Sequence, residues 1–113
     1  MDMRVLVCGG RNFDDAERVA IALNGITPTE VAQGGASGAD YLALAWCRRH
    51  GIPCRTYTAD WESDGRAAGP LRNQAMLEDF RPDMVLAFPG GNGTRDMVRK
   101  ARKAGVKVCE FHT

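Results

Sequence analysis

Residues Met84-Val85-Leu86-Ala87-Phe88-Pro89-Gly90-Gly91-Asn92-Gly93-Thr94 pass from an unbroken apolar run into a glycine-rich turn. Met97, Val98, Ala101 and Ala104 then recur at helical spacing. Strand, glycines and helix in that order make an anion site. The glycines let backbone N–H groups converge, and the helix N-terminus adds the positive end of its dipole. Gln33-Gly34-Gly35-Ala36-Ser37-Gly38-Ala39-Asp40 repeats the design earlier in the chain. Two such turns in 113 residues point to a ligand that carries phosphate.

Outward from that stretch, the rest of the chain keeps the same alternation. Arg4-Val5-Leu6-Val7-Cys8 is an apolar run ending at Gly9-Gly10, as expected of a strand covered on both faces. Asp14 or Asp15 caps a first helix that turns Ala16, Val19, Ala20 and Leu23 inward, with Gly25 expected to stop it and Pro28 just beyond. Glu30 to Gln33 reads as a second strand. Ser37 and Asp40 read as a capping box for a second helix whose inner face is Ala39, Leu42, Ala43, Trp46 and Cys47, and which ends at Gly51. Cys54-Arg55-Thr56-Tyr57 is a third strand. Thr58 to Gly69 has no periodicity and reads as a long functional loop. Pro70 at a first helical position opens a third helix through Arg72, Asn73, Met76 and Leu77. Pro82-Asp83 turns the chain into the fourth strand. The fourth helix ends at Gly105, and Val106-Lys107-Val108-Cys109 is the last strand.

This alternation predicts an α/β fold: a single Rossmann-like doubly wound parallel sheet of about five strands, most simply in the order 3-2-1-4-5, with helices on both faces. Residues 1–113 are expected to form a single domain. Ligands in such sheets bind at the carboxyl ends of the strands, where the winding direction reverses. Here that point lies between the first and fourth strands, so Gly9-Gly10 and both glycine turns are expected to gather there.

Composition excludes several alternatives. A net charge of +1 gives no electrostatic argument for nucleic acid or a membrane surface. No apolar run approaches the ~20 residues that span a bilayer. With no signal-peptide pattern before the first strand, the expectation is a cytoplasmic protein. Cys8, Cys47, Cys54 and Cys109 include no Cys-x-x-Cys pair and read as reduced core thiols. They and His50 and His112 lack metal-ligand spacing, so no metal and no resident cofactor is expected. Neither standard nucleotide fingerprint is present. No Lys-Ser or Lys-Thr follows a glycine loop, and Gly9-Gly10-Arg11-Asn12-Phe13 lacks the third glycine of the dinucleotide motif.

Four blocks together carry a resemblance: Val7 to Phe13, Gly34 to Asp40, Ala68-Gly69-Pro70-Leu71-Arg72-Asn73-Gln74-Ala75-Met76, and Phe88 to Thr94. In this order they resemble the small YspA-type, cpYpsA-related proteins of the SLOG superfamily, over nearly the whole chain. That superfamily includes the Lonely Guy phosphoribohydrolases, molybdenum-cofactor carrier proteins, the DNA-processing protein DprA and sensor domains for NAD-derived nucleotides. The resemblance implies a Rossmann-like fold and a nucleotide or nucleotide-derived small molecule as partner.

The chain departs from the enzymes of that group at one position. The Lonely Guy motif Pro-Gly-Gly-x-Gly-Thr-x-x-Glu ends here in Met97, which cannot move protons or stabilise a developing oxocarbenium ion. Asp96 is one residue early, about 100° round a helix, and is expected to point elsewhere. Arg72 matches the family's catalytic arginine, with Asn73 beside it.

The leading expectation is therefore a binding module that senses, carries or sequesters a nucleotide or ADP-ribose-like ligand. The alternative is a nucleotide phosphoribohydrolase using Arg72 and an unidentified acid. The expected ligand contacts are Gly9, Gly10, Arg11, Gly34, Gly35, Ser37, Gly38, Asp40, Arg72, Asn73, Pro89, Gly90, Gly91, Asn92, Gly93 and Thr94. Gly91 is expected at positive φ, and Trp61 and Arg66 form a candidate lid. A homo-oligomer is expected. Arg95, Arg99, Lys100, Arg102, Lys103 and Lys107 read as a solvated outer face, which leaves nucleic-acid association a minority reading.

Overall fold

A computed structural model describes residues 2–112. β1 (Arg4–Cys8), β2 (Glu30–Gln33), β3 (Cys54–Thr56), β4 (Met84–Ala87) and β5 (Lys107–Glu110) form one sheet in the order β3-β2-β1-β4-β5. The paired strands are all parallel, and this is the expected doubly wound topology. The helices are α1 (Ala16–Ile26), α2 (Ala39–His50), the single-turn α3 (Trp61–Asp64), α4 (Ala68–Phe80) and α5 (Asn92–Lys103).

The period-two alternation of β1 shows how the layers form. Val5 and Val7 face one side, where they pack with Val19 and Leu23 of α1 and with Ala43, Trp46 and Cys47 of α2. Leu6 and Cys8 face the other, against Met76, Leu77 and Phe80 of α4 and Met97, Val98 and Ala101 of α5. A strand buried on both faces must be apolar throughout, which explains the unbroken run Val5-Leu6-Val7-Cys8. The first two helices cover one face and the later pair the other. The winding therefore reverses between β1 and β4, whose carboxyl ends lie side by side through the Cys8–Ala87 register.

Three local expectations are corrected, and the choice between Asp14 and Asp15 is decided. Gly25 lies inside α1, and the helix ends at Thr27, which adopts φ 51° and donates its N–H to Leu23 O at 3.0 Å. Asp15, not Asp14, caps its start by accepting from Arg18 N–H at 3.1 Å. The long segment after β3 is not structureless, because Asp60 accepts from Ser63 N–H at 3.1 Å and nucleates α3, followed by a 3-10 turn over Gly65–Ala67. α4 therefore starts at Ala68, and Pro70 is its third residue, still within the first turn where a missing N–H costs no bond.

Candidate functional site

The turn after β4 is built around one close approach. Gly10 N–H donates to Pro89 O at 2.9 Å, and this draws the β1 and β4 loops together. A Cβ on Gly90 would lie 2.6 Å from Gly10 N and 2.2 Å from Thr94 Oγ1. Gly91 is the reverse case. It adopts φ −105°, not the expected positive value, and a Cβ there would meet open space. α5 starts at once, so the N–H groups of Asn92, Gly93 and Thr94 have no intrahelical acceptor. No side chain caps them among the described residues.

The turn after β2 is constructed differently. Its donors are used internally: Gly35 N–H donates to Gln33 Oε1 at 2.6 Å, Ala36 N–H to Asp40 Oδ2 at 3.2 Å, and Ala39 N–H to Gly10 O at 3.2 Å. The expected capping box is not formed. Gly38 is the N-cap, and Ser37 Oγ instead donates to Arg11 O at 3.1 Å. This turn holds the protein's own carboxylate, Asp40, where a phosphate was expected. The fully buried Gln33, which also donates to Thr56 Oγ1 at 2.6 Å, closes it from below.

A cavity of about 960 Å³ opens at this edge of the sheet. Gly9, Gly10, Arg11, Gly34, Asp40, Trp61, Arg66, Arg72, Asn73 and Pro89 to Thr94 all line it. Gly35, Ser37 and Gly38 do not line it, because their turn packs against the β1 loop and β3. Arg72 reaches in from α4. Its Nη1 donates to Gly34 O at 2.6 Å and Tyr57 O at 3.3 Å, and its Nε donates to Asn73 Oδ1 at 3.0 Å. Trp61 is 56% exposed, and its indole edge would be 3.3 Å from a Cβ on Gly69, so the ring lies across the start of α4.

Asp96 also lines the cavity, contrary to the expectation that it points away. It is Met97 that points away: it is completely buried, packed with Leu6, Cys8 and Met76 beneath the sheet. Two of the carboxyl groups that line the cavity, Asp40 and Asp96, are shifted in opposite directions. Burial pushes Asp40 above its ordinary value of 3.8, against the opposing Ala36 N–H bond and Arg72 charge. Burial pushes Asp96 the same way, but the hydrogen bonds from Lys100 and Asn73 and the charges of Lys100 and Arg99 outweigh it and hold the group below 3.8. Cys8 is pushed up to about 12 by burial, with the Asp40 charge adding, so it is a thiol at neutral pH and no nucleophile.

These shifts predict opposite pH dependences. A depressed carboxyl stabilises the fold above its unfolded pKa, and that contribution disappears as pH falls through the folded value. A raised carboxyl stabilises only at low pH, and its contribution is lost as pH rises through the folded value. Going from pH 3 to pH 7, roughly across the carboxylate range, Asp96→Asn should become increasingly destabilised relative to wild type. Asp40→Asn should become progressively less so. Urea denaturation of both variants across that range checks the signs, and parallel trends would contradict this electrostatic assignment.

A family model described as YspA, cpYpsA-related SLOG family matches residues 3–63, from β1 into α3. The Gene 61 protein of Mycobacterium phage D29 is 39% identical over 120 aligned positions, covering 96% of this chain and 95% of the phage protein. The chain belongs to the YspA, cpYpsA-related SLOG family. Among solved structures, DNA processing protein A (DprA) from Streptococcus pneumoniae superposes with a TM-score of 0.59 at 15% identity. The alignment covers 96% of this chain, which spans 58% of the DprA chain, and the likeness is one of fold.

Within this SLOG chain, sequence reasoning overlooked the part of the cavity wall made by Asn12 to Asp15 and Arg18, and it turned Asp96 away from the site. The signal for Asp96 was its i,i+4 spacing to Lys100, which lies 2.9 Å away. Half of the C-terminal basic cluster is ion-paired. Arg99 and Lys100 bind Asp96, and Arg102 binds Glu110 at 2.6 Å. No helix among the described residues is long and apolar enough to cross a membrane.

Proposed function

We propose that this SLOG chain binds a nucleotide or a nucleotide-derived, ADP-ribose-like molecule and acts as a sensor, carrier or sequestering protein. One observation carries the reading: the uncapped N-terminus of α5 opens into a cavity of about 960 Å³ that Arg72 also enters. Free backbone donors, a helix dipole and a guanidinium suit a phosphate, and the volume suits a nucleotide-sized ligand. At the position where the Lonely Guy motif carries its glutamate, the buried Met97 offers no acid or base.

Gly91→Val tests the site without testing the fold, because its side chain enters open space inside the cavity. Calorimetric titration with AMP should show affinity at least about tenfold weaker than wild type, near 1.4 kcal/mol, at an unchanged melting temperature. Equal AMP affinity in the folded variant would remove this turn from the site. In a parallel fluorescence titration Trp61 emission should change if α3 closes as a lid. Trp46 is buried and donates to Asn24 Oδ1 at 3.1 Å, so it should stay constant.

One observation favours a second reading, that of an N-glycosidic hydrolase. Asp40 lines the cavity near Arg72 and burial raises its pKa, the property of a group that can donate a proton to a leaving base. Adenine release from AMP by wild type, abolished by Asp40→Asn, would select that reading. The DNA-processing name of the structural neighbour raises nucleic acid as a partner, but Arg99, Lys100 and Arg102 of the basic face that would serve it are already ion-paired within the chain.

A further inference from the structure

A carboxylate lining an anion cavity opposes the anion, so Asp96 needs a reason to be there. Its partners supply one. Asp96 Oδ1 accepts from Arg99 Nη2 at 2.7 Å. Asp96 Oδ2 accepts from Lys100 Nζ at 2.9 Å and from Asn73 Nδ2 at 3.0 Å. Two cations against one carboxylate remove the repulsion. Both oxygens are engaged by protein donors, so Asp96 is poorly placed to serve as a ligand acceptor or an acid. Lys100 Nζ also donates to Pro70 O at 2.8 Å, which ties α5 to the first turn of α4.

Asn73 is the bridge. Its side chain is buried, with the residue 4% exposed. Its Nδ2 donates to Asp96 and to Gly93 O at 3.2 Å, and its Oδ1 accepts from Arg72 Nε at 3.0 Å. A side-chain amide carries donors at one end and an acceptor at the other, so its orientation decides what Arg72 meets. Turned over, the amide would set its N–H groups against Arg72 Nε–H and its oxygen against two acceptors, Asp96 and Gly93 O. The ionised Asp96 makes that state costly. With Nε fixed by Asn73 and Nη1 by Gly34 O and Tyr57 O, Nη2 is the guanidinium nitrogen without a protein acceptor among the described residues.

We infer that Asp96 is a positioning residue that acts through Asn73 to lock the Arg72 guanidinium, leaving its Nη2 edge free for the phosphate of the ligand. The phosphate part of this statement rests on the nucleotide reading of the cavity; the lock itself does not. The same relay joins Arg72 to the glycine turn, because Asn73 also grips Gly93 O. The two halves of the anion site are thus held in one register.

The lock is read without ligand by nitrogen-15 NMR of the arginine side chains in the whole chain. Wild-type Arg72 Nε–H should exchange slowly with water. In Asp96→Ala it should exchange rapidly. Asp96→Asn retains an acceptor oxygen for Asn73 and should keep the protection. With AMP and adenosine as probes, Asp96→Ala should weaken AMP at least about tenfold while leaving adenosine within about twofold, and Asp96→Asn should restore most of the AMP affinity. A merely structural role would lower the melting temperature and weaken both probes alike. Protected Arg72 Nε–H in folded Asp96→Ala, or equal losses for AMP and adenosine, would overturn the inference. Should Asp96→Ala fail to fold, the other two proteins decide. Fast exchange at Arg72 in wild type overturns the lock, whereas slow exchange in both wild type and Asp96→Asn supports it. A wild type that binds neither probe would refute the nucleotide reading, with the exchange data still deciding for or against the lock.

Discussion

Met97→Glu should destabilise the fold by about 3–5 kcal/mol and release no base from AMP. The substitution reconstructs the Lonely Guy motif in sequence, but the side chain at this position is wholly buried among Leu6, Cys8, Ala32 and Met76. A carboxylate in this apolar cluster is stripped of solvent, so it either remains charged at high cost or takes up a proton. Protonation sets the sign of the pH dependence. The folded pKa rises above the unfolded one, so the deficit should be smallest at acid pH and grow as pH increases. Against a total stability on the order of 5–15 kcal/mol, the loss at neutral pH should be evident as a large fall in the urea midpoint. A wild-type midpoint, or adenine release by the variant, would show that Met97 can face the cavity.

Gly38→Ala should be at least as damaging, for a reason that lies in the backbone. Gly38 adopts φ 76° and ψ −131°, a region that L-residues rarely enter. A Cβ there would sit 2.2 Å from Gly10 O and 2.5 Å from Arg11 C, neither of which can rotate away. Backbone strain and overpacking together should cost about 3–5 kcal/mol. The bond from Ala39 N–H to Gly10 O, which joins α2 to the β1 loop, should be lost as well. Low soluble yield and a much reduced urea midpoint are expected. An alanine variant as stable as wild type would mean that the loops can separate, and the cavity wall they form would then be adjustable.

The sheet was legible because its signals are local and repeated. Val5-Leu6-Val7-Cys8 and Met84-Val85-Leu86-Ala87 are apolar without alternation, and each is followed by glycine and then by helical spacing. Such a pattern admits few topologies besides a doubly wound sheet. What escaped the sequence was direction at the scale of single donors. The two glycine turns look alike as strings, yet one directs its N–H groups at Asp40 and Gln33 while the other leaves them free. That difference depends on Gln33 and Asp40 folding back onto their own turn, which spacing alone does not encode. Gly90 and Gly91 were likewise indistinguishable until the β1 loop was in place beside one of them. The direction of Asp96 was misread because the start of α5 sets the rotation of the whole helix. The cap at Gly91 carries no side-chain hydrogen bond to mark that start.

On the proposed reading, the cavity holds a nucleotide phosphate without cleaving the nucleotide. Phosphorus-31 NMR of AMP titrated with the wild-type chain reports both halves of that claim in one spectrum. The AMP resonance should shift or broaden saturably as protein is added and remain the sole phosphorus signal after prolonged incubation. The Gly91→Val variant should reproduce the effect only at about tenfold higher concentration. A resonance that never responds would contradict binding, and the growth of a ribose 5-phosphate signal at an enzyme-like rate would contradict the binding-module reading.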